Sequence, residues 1–250
     1  MRQHSRRVSR EQYDAVLFDL DGVVTDTAGL HAKCWKQMFD EYLQKRASHR
    51  GEAFRPFDLD TDYRLYVDGK PRFDGVRDFL SSRGIQLPEG DPDDCGEVET
   101  VRGLGNCKNN LVNQVIVDMG VEPYDGTVRF IHQLLRNGFK IAVVTSSQNC
   151  TAVLKAAKLD DFFEVRVDGD TIDAQRLAGK PAPDTFLMAG KLLGVEPTRA
   201  VVIEDAISGV QAGVKGKFGL VIGIARKGNA EELKHHGAHL VVDDLAELLD

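Results

Sequence analysis

From Ala15 to Phe18 the chain runs four apolar residues without interruption and then breaks into Asp19-Leu20-Asp21-Gly22. A short continuous apolar run bounded by turn residues marks a strand buried on both faces, so this stretch predicts a buried strand ending in carboxylates. The period then changes. Between residues 28 and 45, Leu30, Cys34, Trp35, Met38, Phe39, Tyr42 and Leu43 recur at steps of three and four, the pattern of an amphipathic helix. A polar passage punctuated by Gly and Pro covers residues 48–57, and helical spacing returns near 60–67 and 75–82. A second irregular, acidic passage over 88–96 leads into a long helical segment from about 98 to 119. No strand pattern lies between residues 28 and 120, which reads as a helical insert.

After residue 122 the texture becomes regular. Val128, Ile131, Leu134 and Leu135 line one face of a helix that stops at Asn137-Gly138, and an apolar strand over 139–144 follows directly. Helices over 149–158, 183–193, 207–214 and 230–236 alternate with strands over 163–167, 200–203, 220–224 and 240–242. Such alternation with near-continuous apolar strands predicts an α/β fold, a Rossmann-like doubly wound parallel sheet with a small inserted helical cap. The expected division is a flexible tail over 1–12, a core made of 13–28 and 121–250, and a cap over 29–120.

Length and charge set limits on partners. The 250 residues, 42% hydrophobic and 28% charged, suffice for a proper core, and a net charge of −7 gives no reason to expect nucleic acid or an anionic membrane. The four cysteines, Cys34, Cys95, Cys107 and Cys150, fall at irregular spacings without a Cys-x-x-Cys pair, so neither a zinc site nor a disulfide framework is suggested and a reducing cytoplasm is expected. Arg2, Arg6, Arg7 and Arg10 give the tail a basic character without an apolar segment of signal-peptide length, and no run approaches the length of a membrane helix.

The candidate chemistry lies at strand ends, where doubly wound sheets place their sites. Asp19 and Asp21, two residues apart, project to one side, and their charges repel unless a proton or a cation lies between them; a hard divalent metal fits. The strand over 139–144 runs into Thr145-Ser146-Ser147-Gln148-Asn149, a hydroxyl-rich turn able to hold phosphate oxygens. The strand over 200–203 runs into Glu204-Asp205, a second acidic pair that can complete an oxygen shell. Between them, Gly179-Lys180-Pro181-Ala182-Pro183-Asp184 offers a lysine in a proline-stiffened loop, suited to neutralising a transferring group. Each element has an ordinary structural reading, as an acidic turn, a helix cap or a solvated lysine. Their joint order along one βα series is far more specific.

That order resembles the haloacid dehalogenase superfamily of phosphotransferases, whose four motifs match Asp19-x-Asp21, Thr145, Lys180 and Glu204-Asp205. Within it, Asp-Leu-Asp-Gly-Val-Val-Thr-Asp-Thr followed by Leu30-His31 and Trp35 is similar to the β-phosphoglucomutase-like family. The resemblance implies interconversion of β-glucose 1-phosphate and glucose 6-phosphate through an aspartyl-phosphate enzyme and a glucose 1,6-bisphosphate intermediate. It assigns catalytic roles to Asp19 as nucleophile, Asp21 as acid and base, and Thr145 and Lys180 as phosphoryl ligands. Asp19, Asp21 (through its backbone carbonyl), Glu204 and Asp205 are implied to hold Mg²⁺. His31, Trp35, Arg72, Lys108, Ser147 and Asn149 are implied to bind substrate, with Lys108-Asn109 resembling the Lys-Asn pair of the mutase cap. Gly69-Lys70-Pro71-Arg72 departs from the mutase loop, which more often has a small polar residue before its arginine.

A Mg²⁺-dependent sugar-phosphate phosphatase on the same core is the alternative. A receiver-type regulatory domain lacks an insert of this length, a metal-free dehalogenase does not need Asp21, Glu204 and Asp205 together, and a silent sugar-phosphate binding protein would not need every charged role. The partner expected is a small sugar phosphate, bound by a cytoplasmic monomer. The insert is expected to hinge as a lid that excludes water from the aspartyl phosphate.

Overall fold

The structure, a computed structural model, describes residues 8–95, 98–226 and 228–250. The chain divides into two compact units, one formed by the segment up to Asp26 together with Val121–Asp250, the other by Thr27–Gly120.

The first unit is built on six parallel strands in the order β3-β2-β1-β4-β5-β6. They are β1 (Ala15–Phe18), β2 (Lys140–Val144), β3 (Val165–Val167), β4 (Ala200–Glu204), β5 (Leu220–Ile224) and β6 (Leu240–Val242). In this order the chain winds one way from β1 to β3 and then crosses back to β4, so β1 and β4 flank the switch point at which such sheets open a crevice. β1 is fully buried because both of its faces are covered. Its Ala15 and Leu17 join a cluster with Phe186, Ala189, Val210 and Ala212, while Phe18 on the opposite face meets Phe130 and Phe163 edge-on at 6.4 and 6.1 Å. Each fully buried Leu, Val or Phe among these contributes about 1.5–3 kcal/mol relative to exposure.

Register fixes what lies beyond the strand ends. Phe18 is level with Val143 of β2 and Ile203 of β4, so the next residues on the three strands, Asp19, Val144 and Glu204, stand side by side. The helices of this unit are α4 (Asp125–Arg136), α5 (Cys150–Ala156), α6 (Gly169–Gln175), α7 (Asp184–Leu193), α8 (Ile207–Lys215) and α9 (Ala230–His235). The α6 helix was not anticipated by periodicity, Ile172 being its one large apolar residue; Asp168 starts it by accepting from Thr171 N–H at 3.0 Å.

Residues 1–7 of the expected tail lie outside the described residues. Residues 9–13 form a turn in which Tyr13 N–H donates to Ser9 O at 2.9 Å, and Arg199, at the entrance to β4, bonds Glu11 O at 3.1 Å and both carboxylate oxygens of Asp14.

The second unit contains α1 (Ala28–Arg50), a single π-helical turn (Tyr63–Val67), α2 (Arg72–Ser82) and α3 (Val101–Met119). Its core is aromatic: Trp35 stacks on Phe39 at 5.3 Å, and Phe39 meets Phe57 and Phe79 at 5.2 and 4.1 Å. Phe57 accounts for the end of the polar passage over 48–57. Its ring is buried, its N–H donates to Asp40 at 2.7 Å and its carbonyl accepts from Lys36 at 2.8 Å. The acidic passage before α3 is fastened in the same manner, with the Asn106 amide donating to Pro92 O and Asp94 O at 2.9 and 2.8 Å.

Candidate active site

Three neighbouring strands deliver polar atoms to one ammonium. Lys180 Nζ lies 2.5 Å from Asp19 Oδ1, 3.0 Å from the Val144 carbonyl and 2.6 Å from Glu204 Oε1. These are the residues that register sets side by side. The lysine reaches them from the loop ahead of α7, where Lys215 donates to Pro181 O at 3.0 Å and the Phe186 ring lies 5.0 Å from the ammonium. Lys180, Asp19, Glu204 and Asp205 are all buried.

Burial disfavours each of these charges, and the neighbours decide the outcome. Burial, with Glu204 and Asp21 adding to it, pushes Asp19 well above the usual carboxylate range, while Lys180 opposes the rise. Glu204 is likewise raised by burial and by Asp205, against Lys180 and the Ala206 N–H. For Lys180 burial works against the ammonium, but the Asp19 and Glu204 carboxylates outweigh it and hold its pKa above the ordinary lysine value.

Asp19, Glu204 and Asp205 each offer an oxygen, all within 4.8 Å of one another. One buried ammonium facing three buried carboxylates leaves surplus negative charge in a low-dielectric site, and oxygen donors of this type suit a hard divalent cation. Two glycines hold the carboxylates in place by yielding space. A Cβ on Gly22, which has φ +91°, would overlap the Asp205 carboxylate, and one on Gly209 would overlap that of Glu204. Asp21 contributes no side-chain oxygen to this cluster; its carboxylate accepts from Thr145 Oγ1 at 3.4 Å.

The hydroxyl turn after β2 is ordered by its own side chains. Thr145 Oγ1 accepts from Ser147 N–H, and Ser147 Oγ accepts from Asn149 N–H, each at 3.1 Å, while Thr145 N–H extends the ladder to Val167 O at 2.9 Å. Thr145, Ser147 and Asn149 are thus gathered beside Asp21. The Val144 carbonyl and Gly209 carried no sequence signal, because a backbone acceptor and a vacated Cβ leave no motif.

The remaining sequence-derived residues belong to the helical unit. His31 Nδ1 lies 2.8 Å from Lys108 Nζ, and that buried ammonium stands 4.9 Å from the Trp35 ring centroid. Trp35 is 3% exposed and serves mainly as core. Arg72, on the first turn of α2, places its guanidinium 4.7 Å from the Phe73 ring and donates to Asn106 Oδ1 at 3.3 Å. Lys70, the unusual residue of the preceding loop, is held by Asp78 at 2.6 Å and Leu65 O at 3.2 Å.

A doubly wound sheet with strand-end carboxylates, a hydroxyl turn and a buried lysine defines a phosphotransferase-type site, and the haloacid dehalogenase-like hydrolase family matches residues 13–216. The chain belongs to the haloacid dehalogenase superfamily and, within it, to the β-phosphoglucomutase-like family. It is 54% identical to the β-phosphoglucomutase of Mycobacterium tuberculosis over 96% of this chain and 92% of that protein. It is 30% identical to the β-phosphoglucomutase of Bacillus subtilis over 94% and 91% of the two chains. The crystal structure of β-phosphoglucomutase from Clostridium difficile is similar with a TM-score of 0.72 and 28% identity, covering 95% of this chain and 93% of that one. Among the described residues, no helix is long and apolar enough to cross a membrane.

Proposed function

We propose that the protein is a Mg²⁺-dependent β-phosphoglucomutase, interconverting β-glucose 1-phosphate and glucose 6-phosphate through a phosphorylated Asp19 and glucose 1,6-bisphosphate. The observation that carries this reading is the convergence of Asp19, Val144 O and Glu204 on Lys180 at the switch point of the sheet. Identity of 54% to a protein of that name supports the choice of reaction.

Mg²⁺ would be held by Asp19, Asp205 and the Asp21 main chain, with Glu204 supporting, and when bound it offsets charge on the phosphoryl oxygens. Lys180 restrains one oxygen of Asp19 at 2.5 Å, which leaves the other as the nucleophile. In the first transfer a sugar hydroxyl forms a bond to phosphorus, the bond from phosphorus to Asp19 breaks, and the hydroxyl proton passes to Asp21. After the bisphosphate turns over, Asp19 attacks the other phosphorus and the departing sugar oxygen takes the proton back from Asp21. Thr145, Ser147 and Asn149 supply hydrogen bonds to the phosphoryl group. Arg72 anchors the phosphate distal to Asp19, while Lys108, committed to His31 and Trp35, acts with them in binding the sugar. A monomer in a reducing cytoplasm, where its four free thiols persist, completes the reading.

Trapping the covalent enzyme tests it. Acid quenching with glucose 1,6-bisphosphate and Mg²⁺, followed by peptide mass spectrometry, should place one phosphoryl group on the peptide carrying Asp19. Asp19→Asn should show neither label nor turnover; a folded Asp19→Asn enzyme with near wild-type rate contradicts the assignment.

A further inference from the structure

The loop that carries Asp21 is gripped from two strands away by an arginine to which no sequence motif pointed. Arg226 follows the carboxyl end of β5, the strand beyond β4, and bonds both the loop after β1 and the residues after β6. Its Nε donates to Gly22 O at 3.4 Å, its Nη1 pairs with Asp244 Oδ2 at 2.5 Å and donates to Asp243 O at 3.2 Å. The guanidinium lies 3.7 Å from the centroid of the Tyr124 ring, close even for a stacked cation. Tyr124 in turn donates to Asp26 at 2.7 Å and bonds Val24 O through its N–H at 3.0 Å.

The loop over 20–26 is therefore held on both sides of Gly22. Gly22 N–H is taken by Thr25 O at 2.8 Å, Thr127 Oγ1 donates to Val23 O at 2.7 Å, and the carbonyl of Gly22 has Arg226 as donor. The Asp21-Gly22 peptide is thereby held through its N–H by Thr25 O and the Gly22-Val23 peptide through its carbonyl by Arg226, so the backbone on both sides of the Gly22 Cα is fixed directly after Asp21. Asp244 is itself fixed, accepting from Ala246 N–H at 2.8 Å, so the arginine is braced rather than merely placed. A planar fork that stacks on an aromatic ring while bonding at two edges is a role for arginine that lysine fills only in part.

We propose that Arg226 is a positioning residue for Asp21: by bonding the Gly22 carbonyl while stacked on Tyr124 and paired with Asp244, it sets the direction from which Asp21 exchanges a proton with the sugar oxygen. This rests on Asp21 being the acid and base of the proposed reaction. Arg226 acts through the Gly22 carbonyl, so its loss should spare steps that need no proton.

Leaving-group selectivity separates the two ideas. Wild type, Asp21→Asn, Arg226→Ala and Arg226→Lys are compared on β-glucose 1-phosphate, a poor leaving group, and on 4-nitrophenyl phosphate, an activated one, with thermal unfolding of each variant. Arg226→Ala should lower kcat on the sugar phosphate by roughly 10- to 100-fold, a fraction of what a full acid–base contribution is worth, with KM within about twofold and the first-turnover release of 4-nitrophenol, which needs no proton from Asp21, near wild type. Arg226→Lys, which keeps the Asp244 pair, should recover part of that kcat. Equal loss on both substrates by Arg226→Ala, or unchanged sugar-phosphate kcat in a folded variant, overturns the positioning role. If Asp21→Asn itself loses both activities equally, the acid–base reading fails instead. Should Arg226→Ala not fold, Arg226→Lys decides: an intact kcat on both substrates, or parallel loss, contradicts the proposal.

Discussion

Lys180 Nζ sits 2.5 Å from Asp19 Oδ1, with the lysine side chain fully buried and the aspartate nearly so. A buried pair of this kind is expensive to break one-sidedly, because the remaining charge keeps its desolvation cost. Lys180→Met should therefore destabilise the metal-free protein by about 3–5 kcal/mol and abolish turnover even when Mg²⁺ restores part of the stability. Urea denaturation with EDTA and with Mg²⁺ measures both; wild-type stability in EDTA would show that the lysine does not compensate these carboxylates.

The same burial makes a pH prediction. Asp19 and Glu204 titrate above their ordinary range in the fold, so the folded state binds those protons more tightly than the unfolded chain does. Their contribution to the metal-free protein is present below the unfolded value and is lost as pH rises through the raised folded value. A cation must displace the proton, so apparent Mg²⁺ affinity should fall as pH drops, beginning above the ordinary carboxylate value of about 4. Calorimetric titration in two buffers of different ionisation enthalpy should report proton release on binding; none near pH 5–6 would contradict the raised values.

Glycine tests the metal cradle. Gly22→Ala adds backbone strain of about 1–3 kcal/mol and, in addition, forces the Asp205 carboxylate aside. Gly51→Ala, at φ +64° with open space around the new Cβ, carries strain alone. Gly22→Ala should lose Mg²⁺ affinity by an order of magnitude or more, whereas Gly51→Ala should lose only stability. Equal Mg²⁺ affinity in the two variants would show that the space beside Gly22 does not shape the cation site.

On the proposed role of Arg72 as a charge-assisted anchor for the distal phosphate, Arg72→Ala should depress isomerisation by orders of magnitude while hydrolysis of a small aryl phosphate barely changes. Steady-state assays on both substrates check this; parallel loss points to a folding effect instead.

Much of the sheet was legible because parallel strands buried on both faces write themselves as unbroken apolar runs, as in Ala15–Phe18 and Leu220–Ile224. Helices with a full apolar stripe, such as α4 and α7, were legible for the same reason. The α6 helix was not, because Gly169–Gln175 opens on glycine, has a single large apolar side chain in Ile172 and holds few strong helix formers, so the only cue was the Asp168 cap. The helix α1 continues to Arg50 through polar residues, stopped by Gly51 in the left-handed region rather than by any loss of pattern. At the site, the charged residues announced themselves by order along the chain. What joins them did not, since the Val144 carbonyl, the space beside Gly209 and the Arg226 grip are properties of register and backbone rather than of residue type.

Whether the enzyme isomerises or hydrolyses its sugar phosphate is read from where the phosphoryl groups go. Purified protein with Mg²⁺, β-glucose 1-phosphate and a catalytic amount of β-glucose 1,6-bisphosphate is followed by ³¹P NMR for glucose 6-phosphate and free phosphate together. Glucose 6-phosphate should accumulate well ahead of free phosphate, and only when the bisphosphate and Mg²⁺ are both present. Rapid release of free phosphate with no glucose 6-phosphate formed would contradict the mutase and identify a sugar-phosphate phosphatase.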